Sequence, residues 1–298
     1  MPSKPSVTVS VVMCAHNETG VIERQLRALA VQECDEPWEL VVVDHRSTDA
    51  TSQVTESFRE RFPHLTILRL NSGFGLAHAR NSGVRVAQGS KIIMCDADDE
   101  VQPGWLLAMS HALAIHDIVG ARLDPASINP PWLIRTRGLG QTHEIPSFLG
   151  APWSYGAGLG FRRLVFDKLD GFDERLVGGG EDCDFGLRAS ASGFCTVFVP
   201  DAVVRYRFRA DTASAYRQGR AYGKVEALLL MKHGARSDRR TWWRHNVIEL
   251  LRLPPLTASI PFQRSRLDRR IHKVAFARRT GRMLGRMQGA IKHGCPPW

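Results

Sequence analysis

What this sequence lacks narrows it quickly. No apolar run in its 298 residues approaches the roughly 18 to 20 needed to span a bilayer. The opening "MPSKPS" has no long apolar core behind it ending in small residues, so no secretion signal is expected and the cytoplasm is the default location. Six cysteines are scattered (Cys14, Cys34, Cys95, Cys183, Cys195, Cys295) and none form a CxxC pair, which argues against a disulfide framework or a zinc site. No GxGxxG turn follows the first apolar run, which counts against a dinucleotide fold. No internal repeat is visible. Acidic residues are scarce late in the chain. From Asp201 onward there are 22 Lys and Arg against 6 Asp and Glu, a local balance of +16 in a protein whose total is +10. The first 200 residues are therefore net acidic. The basic third suits an anionic membrane face or an anionic acceptor, and equally a solvated helical surface. Nucleic acid is not an expected partner, because no binding motif accompanies the charge.

What is present is a change of period. "SVTVSVVMC", "WELVVVD", "LTILRL" and "KIIMCD" are nearly continuous β-branched and aliphatic runs, as in strands buried on both faces. Between them lie helical patterns. Ile22, Leu26 and Leu29 follow Thr19 as a cap, Asp49 caps "ATSQVTESFRERF", and "GLAHARNSGVRVA" fills the third gap. Repeated strand, helix, strand implies right-handed crossovers and an α/β, Rossmann-like, mainly parallel sheet flanked by helices. Later strands are expected at Asp117–Asp124, Tyr155–Arg163, "CTVFVP" and "AVVRYRF", and a loop region rich in Pro and Gly spans 125–153. From Thr212 on the pattern is helical and basic.

Parallel sheets bind ligands beyond the carboxyl ends of their strands. Those ends carry Ala15, His16, Asn17 and Glu18, then Asp44, then "CDADDE" with Asp96, Ala97, Asp98, Asp99 and Glu100. Asp96 and Asp98 have one residue between them, so an extended stretch would aim both at one face and let them share Mg2+ or Mn2+. Taken alone, an acidic turn explains them as well. "GGGEDCD" places Glu181 and Asp182 at a helix start. There a carboxylate can act as a general base, or simply complement the helix dipole. Arg80, in "ARNSG", and Arg188 are candidate phosphate ligands by their paired donors, or surface ion-pair partners.

Taken together and in order, the parallel-sheet start, "DHRSTDAT", "GLAHARNSGVRVAQGSKIIMCDADD" and "GFDERLVGGGEDCDFGLR" resemble the family 2 glycosyltransferases of the GT-A fold, over roughly Val7 to Phe208. The resemblance implies a catalytic domain over 1–210, its nucleotide-sugar half about 1–100 and its acceptor half about 101–210, with a helical basic extension over 211–298. It implies an inverting, non-processive transfer from a nucleoside diphosphate sugar to an acceptor hydroxyl or amine, the acceptor being a small molecule, a glycan or a lipid-linked molecule. Residue by residue, it puts Ala15, His16, Asn17 and Glu18 beside the nucleotide, and Asp44 on the base or ribose. Arg80 and Asn81 fall in the segment lining the donor pocket. Asp96 and Ala97 lie against the ribose or donor sugar. Asp98, with Asp96, is placed on a Mn2+ or Mg2+ ion, and Asp182 becomes the base with Glu181 beside it. A lipid-linked acceptor would suit peripheral contact of the basic C-terminal region, "TWWRHNVIELLRLPPLTASIPFQRSRLDRRIHKVAFARRTGRMLGRM", with the inner face of the membrane.

Two features depart from that family. "MCAHN" stands where many relatives have Pro-Thr-Tyr-Asn. No histidine follows the last strand to complete a metal shell, and Arg205 and Tyr206 stand near its place. The QxxRW signature of processive synthases is missing too. Other readings fit less well. A DxD phosphatase carries its motif after the first strand, and a nucleotidyltransferase needs a glycine-rich basic loop that "CAHNETG" does not supply. The alternative that remains is a non-catalytic sugar-nucleotide-binding or membrane-associated module that kept the fold.

Overall fold

The structure, a computed structural model, describes residues 7–137, 140–234 and 265–292. They form two compact units. One comprises Met1–Ile128, Gly140–Val177 and Glu181–Arg207; the other comprises Asn129–Leu139, Gly178–Gly180 and Phe208–Trp298.

The first unit is built on an eight-stranded sheet. Its strands are β1 (Val9–Ala15), β2 (Trp38–His45), β3 (Leu65–Leu70), β4 (Lys91–Asp96), β5 (Glu100–Val101), β6 (Ile118–Asp124), β9 (Leu159–Arg162) and β10 (Thr196–Arg205), in the order β3-β2-β1-β4-β9-β6-β10-β5. A short hairpin, β7 (Ser147–Phe148) with β8 (Ala151–Pro152), stands apart. The pairs β1/β2, β2/β3, β1/β4 and β6/β10 are parallel. The helices of this unit are α1 (Ile22–Leu29), α2 (Thr51–Glu56), α3 (Leu76–Val86), α4 (Trp105–Ile115), α6 (Arg163–Leu169) and α7 (Glu181–Ala191).

Alternation along β1 explains the two-sided core. Val9, Val11 and Met13 pack with Leu26, Leu29, Trp105 and Met109 on one face, while Val12 joins Val41, Val43, Val84 and Phe185 on the other. Each fully buried aliphatic side chain contributes roughly 1.5–3 kcal/mol. Helix α3 lies so close to the sheet that a Cβ at Gly83 would come within 2.5 Å of Val12 Cγ1.

Three local expectations change. "CTVFVP" and "AVVRYRF" are one strand, β10, because pairing to β6 continues past a register shift between Val199 and Val203 that absorbs Pro200. Tyr155–Arg163 is only partly strand. A 3-10 turn at Gly156–Gly158 precedes β9, which runs antiparallel between β4 and β6. That reversal carries Gly156 back to the carboxyl end of β4. Thr19 makes no capping bond to α1; its N–H instead donates to Asp49 Oδ2 (3.1 Å).

In the second unit, α8 (Thr212–His233) and α9 (Arg266–Lys292) run side by side in the same direction, with α5 (Pro131–Ile134) nearby. Their backbones touch through glycines. A Cβ at Gly223 would lie 2.0 Å from Arg282 O, and one at Gly285 2.1 Å from Arg220 O. Glu226 is tied to Arg282 and Arg286 beside this seam. Among the described residues no helix is long and apolar enough to cross a membrane. The tryptophan-bearing start of the basic tail, through residue 264, lies outside the described residues.

Candidate active site

The acidic segment after β4 is a turn, contrary to the extended stretch expected. Ala97 and Asp98 turn the chain, and it re-enters the sheet as β5. The turn gathers three carboxylates instead of two: one oxygen each from Asp96, Asp98 and Asp99 lie within 4.8 Å of one another. Gln25 of α1, fully buried, braces both ends. Its Nε2 donates to Asp96 O (3.1 Å) and its Oε1 accepts from Val101 N–H (2.9 Å). From the segment just past the end of β10, Arg207 donates its N–H to Asp99 Oδ1 (2.7 Å) and its Nε–H to Asp98 O (2.8 Å). Asp99 is 1% exposed, and among the described residues its Oδ2 has no hydrogen-bond partner. Burial, then the charges of Asp98 and Asp96, push its carboxyl well above the usual range. A buried, unpartnered oxygen beside two further carboxylates is a hard donor set that fits Mg2+ or Mn2+. Arg205, expected near this spot, pairs with Glu100 (2.5 Å). The arginine at the turn is Arg207, and only the β5/β10 register, with Arg205 opposite Glu100, identifies it.

A buried arginine links this turn to helix α7. Arg80, 3% exposed, ion-pairs with Asp96 (3.2 Å) and with Glu181. Burial opposes its charge, but Glu181 and Asp96 together hold the proton on. Its guanidinium fills the space a side chain at residue 156 would need: a Cβ on Gly156 would lie 2.1 Å from Nη2. Gly156 N–H in turn donates to Asp182 Oδ2 (2.9 Å), while Cys183 N–H donates to Asp182 Oδ1 (2.8 Å). Asp182 is half-buried, and burial raises its carboxyl against the pull of Arg80 and the two N–H donors. A carboxylate raised in this way is a stronger proton acceptor than an exposed one. Glu181 points inward. It is 1% exposed, its Oε2 lacks a partner among the described residues, and burial raises its carboxyl to about 7, with Arg80 opposing and Asp182 adding.

At the ends of β1 and β2 the loops are zipped together. Asn17, at φ 57°, accepts from Thr48 N–H (2.8 Å) through Oδ1 and donates its own N–H to Ser47 Oγ (2.9 Å). Glu18 N–H donates to Thr51 Oγ1 (2.9 Å). The exposed His16 ring donates from Nδ1 to His45 O (2.8 Å), and Ala15 is buried beneath. Asp44 accepts from the Ser52 hydroxyl on Oδ2, but its Oδ1 is buried and, among the described residues, unpartnered. That oxygen is an acceptor suited to an N–H or O–H of a ligand.

Two expected ligand contacts are used up internally. Asn81 is 1% exposed. Its amide donates to Phe172 O (2.9 Å) and Glu174 Oε1 (2.8 Å) and accepts from Phe172 N–H (2.8 Å), so it pins the loop before α7. Arg188 donates to Asp184 (2.7 Å), Leu169 O (2.6 Å) and Gly171 O (2.7 Å), and so ties α7 to the end of α6. A surface pocket lined by Glu39, His64 and Leu65 lies at the opposite, amino-end edge of the sheet.

The profile of glycosyl transferase family 2 matches residues 10–169, more than half of the chain. The chain belongs to glycosyl transferase family 2. That of glycosyl transferase family group 2 matches residues 91–267. Among curated family relatives, it is 26% identical over 209 residues to a probable glycosyltransferase, YdaM, of Bacillus subtilis, covering 65% of this chain and 49% of that one. It is 24% identical over 273 residues to the N-acetylglucosaminyl-diphospho-decaprenol L-rhamnosyltransferase of Mycobacterium tuberculosis, covering 78% and 86%. The chain spans half or less of the length of several other curated relatives that it matches. Among solved structures, a mannosyltransferase from Pyrobaculum calidifontis, in complex with GDP-Man and Mn2+, superposes at a TM-score of 0.65. Identity is 19%, and 98% of this chain and 89% of that one are covered. The likeness establishes the GT-A fold.

Proposed function

We propose that this family 2 glycosyltransferase moves a sugar from a nucleoside diphosphate sugar to an acceptor hydroxyl or amine by one inverting displacement, without processivity. In this reading Asp182 takes the acceptor's proton as the acceptor atom bonds to the anomeric carbon. The bond from that carbon to the diphosphate oxygen breaks on the opposite side, and the departing nucleoside diphosphate keeps the electron pair. Asp44 Oδ1 receives a hydrogen bond from the base or ribose, and the joined loops carrying Ala15, His16, Asn17 and Glu18 flank the nucleotide. Asp96, Asp98 and Asp99 would hold Mn2+ or Mg2+, which as a Lewis acid offsets the charge that develops on the leaving phosphate. Ala97 keeps the turn compact between them. Glu181 and Arg80 act behind these groups: the arginine sets the field felt by both Asp96 and Asp182. The acceptor, and any contact of the basic C-terminal helices with an anionic membrane face, belong to this proposal too.

The observation that carries the reading is that Asp96 and Glu181, from different elements, are ion-paired to one buried arginine, with Asp182 next to Glu181 at the same helix start. A donor-side carboxylate and a base are thereby held in one frame. A thermal-shift screen of nucleoside diphosphate sugars, with and without Mn2+, tests it, since a bound donor raises the melting temperature by mass action. Asp98→Ala should abolish the metal-dependent part of the shift. Asp182→Asn should keep the shift and lose transfer. Transfer at the normal rate by Asp182→Asn removes Asp182 from the mechanism. A donor that binds but is never turned over favours a non-catalytic binding module.

A further inference from the structure

We infer that Arg207 is a built-in cation of the acidic turn, and that its guanidinium binds the diphosphate of the donor directly beside the metal position. The inference rests on reading that turn as the diphosphate site. Arg207 is anchored from two sides of its own chain: the backbone N–H holds Asp99 Oδ1 (2.7 Å) and Nε holds Asp98 O (2.8 Å). Among the described residues its two terminal amino groups carry no hydrogen bond or ion pair. They extend from the same planar group whose Nε is fixed on the turn. A guanidinium held at one edge with two parallel donors open is preorganised for a pair of phosphate oxygens.

The charges at the turn demand such a partner. Three carboxylates converge there, and Asp99 is buried with one oxygen unpaired among the described residues. Arg205 is engaged with Glu100 and Arg80 is committed between Asp96 and Glu181. Among the described residues, Arg207 is in direct contact with both Asp98 and Asp99. It stands one residue past the place where Tyr206 offers no metal ligand of the histidine type. An anion bound at the turn would meet a metal and a guanidinium together, and would keep a binding site when the metal is removed.

Inorganic pyrophosphate and Mn2+ are the probes, measured by calorimetry and by electron paramagnetic resonance on the full chain. The wild type should bind pyrophosphate in EDTA, and more tightly with Mn2+. Arg207→Gln should weaken binding in EDTA by about tenfold, the size of one charge-assisted contact. It should also tighten Mn2+ binding in the absence of pyrophosphate, because a repelling charge has gone. A merely structural arginine would loosen both when removed. Arg207→Lys, which keeps the charge and loses the fork, should leave Mn2+ binding unchanged and recover only part of the pyrophosphate affinity. It also serves as the variant of record where the glutamine form does not fold. If wild type and Arg207→Gln bind pyrophosphate equally in EDTA, or if Arg207→Lys matches wild type in full, the inference falls and the donor site stands. If the wild type binds pyrophosphate neither with nor without Mn2+, the reading of the turn as a diphosphate site falls with it.

Discussion

Gly156 and Arg80 share one volume: the place of a glycine Cβ is taken by a guanidinium, whose Nη2 would lie only 2.1 Å from such an atom. Neither residue is adjacent to the other in sequence, yet each holds one of the two carboxylates at the start of α7: Arg80 bonds Glu181 and Gly156 bonds Asp182.

Gly156→Ala should therefore displace Arg80 and disturb the N–H that holds Asp182. Overpacking of this kind costs about 1–3 kcal/mol. Urea unfolding should show that loss, and donor transfer should fall further than stability alone explains. A variant as active and as stable as wild type would mean that Arg80 moves aside freely.

Glu181 sets a pH dependence. Its carboxyl rises from 4.5 to about 7 in the folded protein, by burial first. The folded state then holds a proton that the unfolded chain has already released. Stability should be greatest below about 4.5 as far as this group is concerned, fall as pH climbs toward about 7, and stay level above it. Denaturation across that range, compared with Glu181→Gln, checks the sign: the variant should lose the downward slope.

Asn81→Leu should free the loop that precedes α7. Phe172 N–H and O would lose their buried partners, at about 1–3 kcal/mol for each group left unsatisfied. Hydrogen exchange at residues 171–174 should accelerate selectively. Equal protection in the variant would show that the loop is held by the packing of Phe172 alone.

In the second unit, Gly285→Val should force α8 and α9 apart, because its Cβ would meet the Arg220 carbonyl at 2.1 Å. The clash is with backbone, so no rotamer relieves it. A fall in melting temperature, with circular dichroism showing both helices retained, is the expected outcome. Substituting exposed Lys273, on the same helix, should cost less than about 0.5 kcal/mol.

Periodicity alone was enough for the strands and helices of the first hundred residues, because a strand buried on both faces needs an unbroken apolar run. The order of "DADD" and "GGGED" was enough to single out Asp96, Asp98, Glu181 and Asp182 as candidates. Partners were a different matter. Nothing local in the sequence says that Arg80 lies between Asp96 and Glu181, that Asn81 and Arg188 spend themselves on backbone carbonyls, or that Gln25 braces the acidic turn. Arg205 and Arg207 are equally basic on paper. The register of β10 against β5, with Arg205 opposite Glu100, decides which of them reaches Asp98 and Asp99. Sequence by itself determined which stretches must be buried and which edge of the sheet must carry charge, since hydrophobic period is a local property. Only the tertiary structure decided which charge meets which, since pairing depends on register and on reversals such as the antiparallel β9, and these are settled by packing between distant segments.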